Sequence, residues 1–325
     1  MSVIFLPTIA LFAGILGLLW GADRFVAGSA SAARYLGITP MVIGLTVVSV
    51  GTSAPEIIVS INAALRESGQ LAVGNALGSN LANIGLVLGI TALVAPIPVK
   101  KQVLFEESPV LLLITALAGL CLYNGFLGRG ESIGLALLVI PLLILVVKYK
   151  KNHPNSDIAD NKEALPDLSK SYAILWFIVG LIVLLGSAEI TVWGAKSIAT
   201  YAGISELVIG LTVVAIGTSL PELAASVISA VRGHHDIALG NVFGSNLFNL
   251  MLVMTSAGAI APISLGSEVF FRDFLAMAAM TLLMVILAAV ALRSSSGRIS
   301  KTMGLLLLSG YGFYYMLLWP AITSS

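Results

Sequence analysis

The chain has 325 residues, 58% of them hydrophobic and only 10% charged, with a formal net charge of +1. A soluble domain carries about a quarter of its residues charged, so this composition, with a mean hydropathy of +1.01, excludes a water-soluble globule. The near-neutral balance offers nothing to nucleic acid, and the single cysteine, Cys121, excludes disulfides and cysteine-based metal sites within one chain.

Runs of about 20 apolar residues, enough to cross a bilayer, fall at 3–21, 40–65, 71–97, 103–123, 131–148, 172–192, 206–230, 236–262, 269–292 and 302–321. The reading is an all-α integral membrane protein of ten transmembrane helices. The first run starts at Val3 without a basic stretch before it, so no separate cleavable signal is expected. Nothing between Phe12 and Gly37 breaks it firmly, and it can continue past Asp23 toward Arg34 as a tilted helix. Glu106 and Glu107 open the fourth helix, where negative charge suits an N-terminus. The one long hydrophilic stretch, Lys148–Lys170, carries mixed charges with Pro154 and Pro166 and reads as a linker. The expected division is residues 1–148, a linker at 149–170, and residues 171–325. Trp20, Trp176, Trp193 and Trp319 lie toward helix ends, as interfacial anchors do. His153, His234 and His235 fall in loops. Asp23 and Glu189, close to Arg24 and Lys196, read as interface charges near helix ends.

Lys and Arg set the orientation. Thirteen lie on the side of the linker (Arg24, Arg34, Lys100, Lys101, Lys148, Lys150, Lys151, Lys162, Lys170, Arg232, Arg293, Arg298 and Lys301), against Arg66, Arg129, Lys196 and Arg272 on the other. The linker is therefore expected in the cytoplasm and both termini outside, in the cell (inner) membrane.

Two stretches are nearly duplicates. Gly44–Val48 leading to Gly51-Thr-Ser-Ala-Pro-Glu56 recurs as Gly210–Val214 leading to Gly217-Thr-Ser-Leu-Pro-Glu222, and Gly74-Asn-Ala-Leu-Gly-Ser-Asn80 recurs as Gly240-Asn-Val-Phe-Gly-Ser-Asn246. An offset of 166 aligns both pairs without a gap. Five helices separate equivalent points, an odd number, so the two copies run in opposite directions through the membrane. Inverted repeats of this kind are common in secondary transporters.

The duplicated residues are chemically pointed. Pro55 lacks an N–H and crowds the carbonyl of Gly51; Pro221 does the same to Gly217. Irregular backbone at membrane depth survives only inside protein or along a cavity. Beside the freed carbonyls stand the hydroxyls of Thr52, Ser53, Thr218 and Ser219 and the carboxylates of Glu56 and Glu222. Asn75, Ser79 and Asn83 share one helix face, as do Asn241, Ser245 and Asn249. Gly74 with Gly78, and Gly240 with Gly244, let a neighbouring backbone come close. Asn80 and Asn246 are as well suited to capping or interhelical hydrogen bonds as to ligation. No basic residue lies within these four segments, and an unpaired carboxylate in low dielectric must protonate or bind a cation. Oxygen ligands suit hard cations such as Ca²⁺ and Na⁺ and not Zn²⁺ or Cu⁺. Taken alone, a GxxxG pair is packing and a lone hydroxyl bonds its own backbone; the duplication argues for a cation site.

These blocks closely resemble the two repeats of the sodium/calcium exchanger family within the cation/Ca²⁺ antiporters, in its short prokaryotic form without large Ca²⁺-sensing domains. The resemblance implies that Glu56 and Glu222 form a Ca²⁺ site. It implies that Thr52, Ser53, Thr218, Ser219, Ser79 and Ser245 complete Ca²⁺ and Na⁺ sites, with backbone at Ser49 and Ala215 also used for Na⁺. Asn83 and Asn249 stand at positions near a Na⁺ site. Some family members, K⁺-dependent ones among them, carry Asp where this chain has Asn249, which points to K⁺-independent exchange. No cofactor is implied; Ca²⁺ and Na⁺ are cargo, the bilayer is the partner, and a monomer is expected. The expected mechanism is alternating access, the oblique first and sixth helices sliding across the other core helices. The rivals are a proton-coupled Ca²⁺ or cation antiporter and a cation channel. An intramembrane enzyme is disfavoured, since no nucleophile–base pair or metal triad appears within a span.

Overall fold

Helix α1 (Ser2–Leu36) is 35 residues long and passes Asp23 without interruption, so the hydropathy limit at residue 21 falls well short of its end. It stops where Gly37 takes a positive φ of 63°; Ile38 N–H reaches back to the Ala33 carbonyl at 3.1 Å, closing the last turn. The computed structural model describes residues 2–142, 144, 168–203, 213 and 215–323. Most of the predicted linker and about the first third of the seventh predicted helix lie outside these.

The second predicted span is a bent pair, α2 (Pro40–Thr52) and α3 (Ala54–Leu65), meeting at 44°. Thr39 starts it by accepting from Val42 N–H at 3.4 Å, with Pro40 in the first helical position. There follow α4 (Gly69–Val94), α5 (Val103–Leu122) and α6 (Arg129–Leu137). After the linker come α7 (Lys170–Tyr201), the pair α8 (Ala215–Thr218) and α9 (Leu220–Val231), then α10 (His235–Ile260), α11 (Val269–Arg293) and α12 (Lys301–Thr323). Among the described residues, six of these are long and apolar enough to cross a membrane, seven with the bent pair taken as one span.

Helices dominate, but two short ribbons were not expected. β1 (Ile97–Pro98) pairs antiparallel with β4 (Arg298–Ile299), and β2 (Phe126–Leu127) with β3 (Ile263–Ser264). Each ties a loop of one half of the sequence to a loop of the other. The offset of 166 also governs local geometry: π-helical turns occur at Asn83–Val87 and Asn249–Val253, and again at Val103–Glu107 and Val269–Phe274. Glu106 and Glu107 thus open α5 in a π-turn, with Glu106 in its first turn as expected, and Glu107 is buried.

α10 forms the centre. Phe243, Leu250 and Met251 are buried in the main apolar cluster with Leu81, Ile84 and Leu88 of α4. Its crossing with α2 is close enough that a Cβ on Gly240 would lie 2.6 Å from the Met41 carbonyl oxygen. The corresponding neighbour of Gly74 and Gly78, the segment before α8, is outside the described residues.

α7 continues to Tyr201, nine residues beyond the predicted limit. It runs antiparallel along α1, with small residues bringing the backbones together. A Cβ added at Gly21, Gly180 or Gly194 would lie 2.7 Å from Leu184 N, Phe25 Cα or the Pro7 carbonyl oxygen, respectively. Trp20 and Trp176 meet edge to face at 6.1 Å, and the Arg24 guanidinium covers the Trp176 ring at 4.7 Å. At the end of α1, the Tyr35 hydroxyl donates to the Leu168 carbonyl at 2.7 Å, which puts this end of α1 beside the start of α7.

Candidate cation site

The helix breaks fall at Ser53 (φ −83°, ψ 6°) and Ser219 (φ −88°, ψ 4°), two residues before each proline. Pro55 and Pro221 then sit in the first turn of α3 and α9, where a missing N–H costs nothing. Each break points a short polar run, Thr-Ser, and the glutamate one turn on, toward the same interior region.

The two halves meet there. Ser53 Oγ donates to Glu222 Oε1 at 3.1 Å, and Thr52 Oγ1 donates to Asn241 Oδ1, also at 3.1 Å. Glu56 and Glu222 are each only 1% exposed. Thr52, Ser53, Ser49, Ser79, Ser219, Ser245, Asn83 and Asn249 are all buried, while Thr218 is half-buried. Ala215 begins α8; its side chain is outside the described set. Ser49 Oγ donates to the Leu45 carbonyl at 2.7 Å, which fixes its orientation and leaves its lone pairs free.

Buried polar atoms almost always find a partner, and here many do not. Among the described residues, Glu56 Oε2, Glu222 Oε2, Ser219 Oγ, Ser245 Oγ, Asn83 Oδ1 and both polar atoms of Asn249 make no hydrogen bond. Almost all are oxygens. Among the described residues no three His, Cys, Asp or Glu come together as a metal centre. The region therefore holds two carboxylates amid neutral oxygens, a donor set for a hard cation in transit.

Two asparagines do more than the sequence reading assigned them. Asn241 Nδ2 donates to the Glu222 carbonyl at 3.3 Å and to Ser226 Oγ at 2.9 Å; Asn75 Nδ2 donates to the Glu56 carbonyl and Ser60 Oγ, both at 3.2 Å. Each clamps the backbone of its glutamate to the next helix. The spacing of 19 residues between each glutamate and its asparagine, identical in both halves, is the signal that could have revealed it. Asn80 bonds between helices, Nδ2 to the Asn246 carbonyl at 3.2 Å, and Asn246 Nδ2 bonds the Val242 carbonyl at 2.7 Å.

Asp23 and Glu189 are not near helix ends: both lie well inside α1 and α7. Asp23 is bound by Arg232, whose Nε is 2.8 Å from Oδ1, and not by Arg24. Glu189 lines a cleft of about 380 Å³ between α3 and α7, which extends to Gly217, Thr218 and Pro221 at the second break. His234 lies outside the helix, as expected, but is buried as the residue that caps α10, whereas His235 is the first residue of that helix and not part of a loop.

The sodium/calcium exchanger protein family matches residues 6–149 and 172–319. CaxA of Alkalimonas amylolytica, named for antiport, is 43% identical over 315 residues, covering 95% of this chain and 98% of its own. The inner membrane protein YrbG of Escherichia coli strain K12 is 39% identical over 311 residues, 94% of each chain. The solved structure of the sodium–calcium exchanger NCX_Mj, soaked with 10 mM Na⁺ and zero Ca²⁺, superposes with a TM-score of 0.82 at 33% identity, covering 96% of this chain and 99% of that one. With its duplicated motifs, its paired buried carboxylates and these likenesses over nearly its whole length, the chain is a membrane protein that belongs to the sodium/calcium exchanger family.

Proposed function

We propose that the protein exchanges Na⁺ for Ca²⁺ across the membrane by alternating access, without K⁺. The observation that carries this is the pair Glu56 and Glu222, buried together among orphaned neutral oxygens. Two negative charges neutralise one Ca²⁺ or two Na⁺, so the two cargoes compete for one centre. Further Na⁺ at the neutral oxygens would make the Na⁺-loaded form positive and the exchange electrogenic. The layout we infer is ten helices in two inverted five-helix repeats, 1–148 and 171–325, joined by a cytoplasmic linker. Thr52, Thr218, Ser53, Ser219, Ser79 and Ser245 are assigned to the cation sites with the glutamates, and backbone at Ser49 and Ala215 to Na⁺.

K⁺ independence rests on charge. With Asn at 83 and 249, no third carboxylate is present to balance K⁺ bound beside Ca²⁺. Ca²⁺ uptake into proteoliposomes, with Na⁺, K⁺ or H⁺ gradients imposed one at a time, is expected to follow the Na⁺ gradient alone and to persist when choline replaces K⁺. Uptake driven by the proton gradient would favour the proton-coupled reading, and collapse in choline would reject K⁺ independence.

The charge count places the linker in the cytoplasm, so the cleft at Glu189 opens outward. In a Cys121→Ser background, Asn124→Cys should react with a membrane-impermeant thiol reagent in intact cells, and Ser296→Cys should be protected. Both positions are exposed, so the reverse pattern inverts the assigned orientation.

A further inference from the structure

Asp23 and Glu189 are repeat mates, and so are Arg232 and Arg66, each pair separated by 166 residues. The two halves treat these mates differently. Toward the linker face, Arg232 holds Asp23, and α1 lies against α9: Ala224 and Ala225 are 9% and 0% exposed, in one apolar cluster with Ala22 and Phe25. On the opposite face their mates Ile58 and Val59 are 58% and 38% exposed. There α3 stands away from α7 and the cleft lies between them, with Glu189 on its wall. Neither the Glu189 carboxylate nor the Arg66 guanidinium makes a hydrogen bond or ion pair among the described residues.

We propose that Glu189 is a loading site for Ca²⁺ and Na⁺ in the outer cleft, and that Arg66 takes over its carboxylate when the cleft shuts, as Arg232 now holds Asp23. The assignment of outer and inner faces rests on the exchanger reading above. A charge in a narrow cleft with apolar walls focuses its field and raises the local concentration of counter-ions. Glu189 is exposed, so it can hold a hydrated cation and release it inward past Ala54 and Thr218, which line the same cleft next to the breaks at Ser53 and Ser219. Exposed ion pairs are weak, which suits a contact made and broken in every cycle. Exchange of partners also clears the site: once Arg66 neutralises Glu189, no cation is retained at the closed mouth.

The test is Ca²⁺ uptake by the full chain in proteoliposomes at varied external Ca²⁺ and ionic strength. Glu189→Gln is expected to raise the KM for external Ca²⁺ by about fivefold at low salt, with kcat retained, and the difference should fade as salt shortens the Debye length below roughly 10 Å. An unchanged KM at every ionic strength overturns the loading site. Glu189→Arg should lower kcat, because two arginines then face each other as the cleft shuts. Adding Arg66→Glu should restore kcat while KM stays high, and failure of that rescue overturns the exchange of partners. A wild type that moves no Ca²⁺ under any gradient is a failure of the exchanger reading instead. The partner exchange is then decided by cross-linking in the Cys121→Ser background: Arg66→Cys with Glu189→Cys must be bridgeable in a state where Asp23→Cys with Arg232→Cys is not.

Discussion

Replacing either Glu56 or Glu222 by glutamine is expected to abolish Na⁺-driven Ca²⁺ uptake in proteoliposomes while leaving the protein folded and inserted. The amide keeps the shape of the side chain, and Gln at 222 can still accept the 3.1 Å hydrogen bond from Ser53. What is lost is one of two charges facing a divalent ion. A unit negative charge about 4 Å from a divalent ion, in a medium of effective dielectric near 20, contributes about 8 kcal/mol, equivalent to roughly a millionfold in affinity. Neither site offers a substitute, because the surrounding side chains are neutral. Full transport by both glutamine variants would remove the carboxylate pair from the mechanism.

Gly240→Val should have an effect of comparable size on the fold itself. Its Cβ would lie 2.6 Å from the Met41 carbonyl oxygen and 2.8 Å from Leu45 N, and both obstacles are backbone. No side-chain rotation relieves them, so α10 and α2 must separate, and with them the Thr52–Asn241 hydrogen bond at 3.1 Å. Overpacking of this kind costs on the order of 3 kcal/mol, and the lost burial around α10 adds to it. The expected result is a clear fall in the thermal midpoint of the detergent-solubilised protein and little monodisperse material. Gly312→Ala, in exposed α12 with no described atom within 4 Å of its Cβ, is the control and should be neutral. A Gly240→Val protein as stable as that control would mean that the crossing is looser than these distances require.

Much of this could be read from the sequence because the repeat is so literal. An offset that places Glu56 on Glu222 and Asn75 on Asn241 marks the polar positions in otherwise apolar runs, and burial cost gives them meaning. Three things resisted reading. The apolar run of the sixth span stops before Trp193, but nothing there breaks a helix, so α7 ran on to Tyr201, whereas the continuation of α1 past Asp23 was legible. The π-turns that begin at Asn83 and Asn249 have no signature in a period-3.6 pattern. The partner of Asp23 is 209 residues away, and sequence neighbours such as Arg24 are poor guides to it. Above all, a nearly symmetric sequence cannot announce that one of its two equivalent clefts is closed and the other open. That difference belongs to the conformational state.

The close packing of α1 on α7 bears on energy conservation. A coupled exchanger dissipates its driving gradient whenever a path is open to both sides at once. Here the helix that shuts one cleft is fastened, backbone against backbone at Gly21, Gly180 and Gly194, to the helix that bounds the other. The two cannot retreat independently, because parting them would open voids along their length in the bilayer, where no hydrophobic force compensates for lost packing. Motion of the pair that widens one entrance must narrow the other. Under the proposed mechanism, the interface of glycines would act as a mechanical interlock against leak, and the tightness of coupling would reside there as much as in the carboxylate pair.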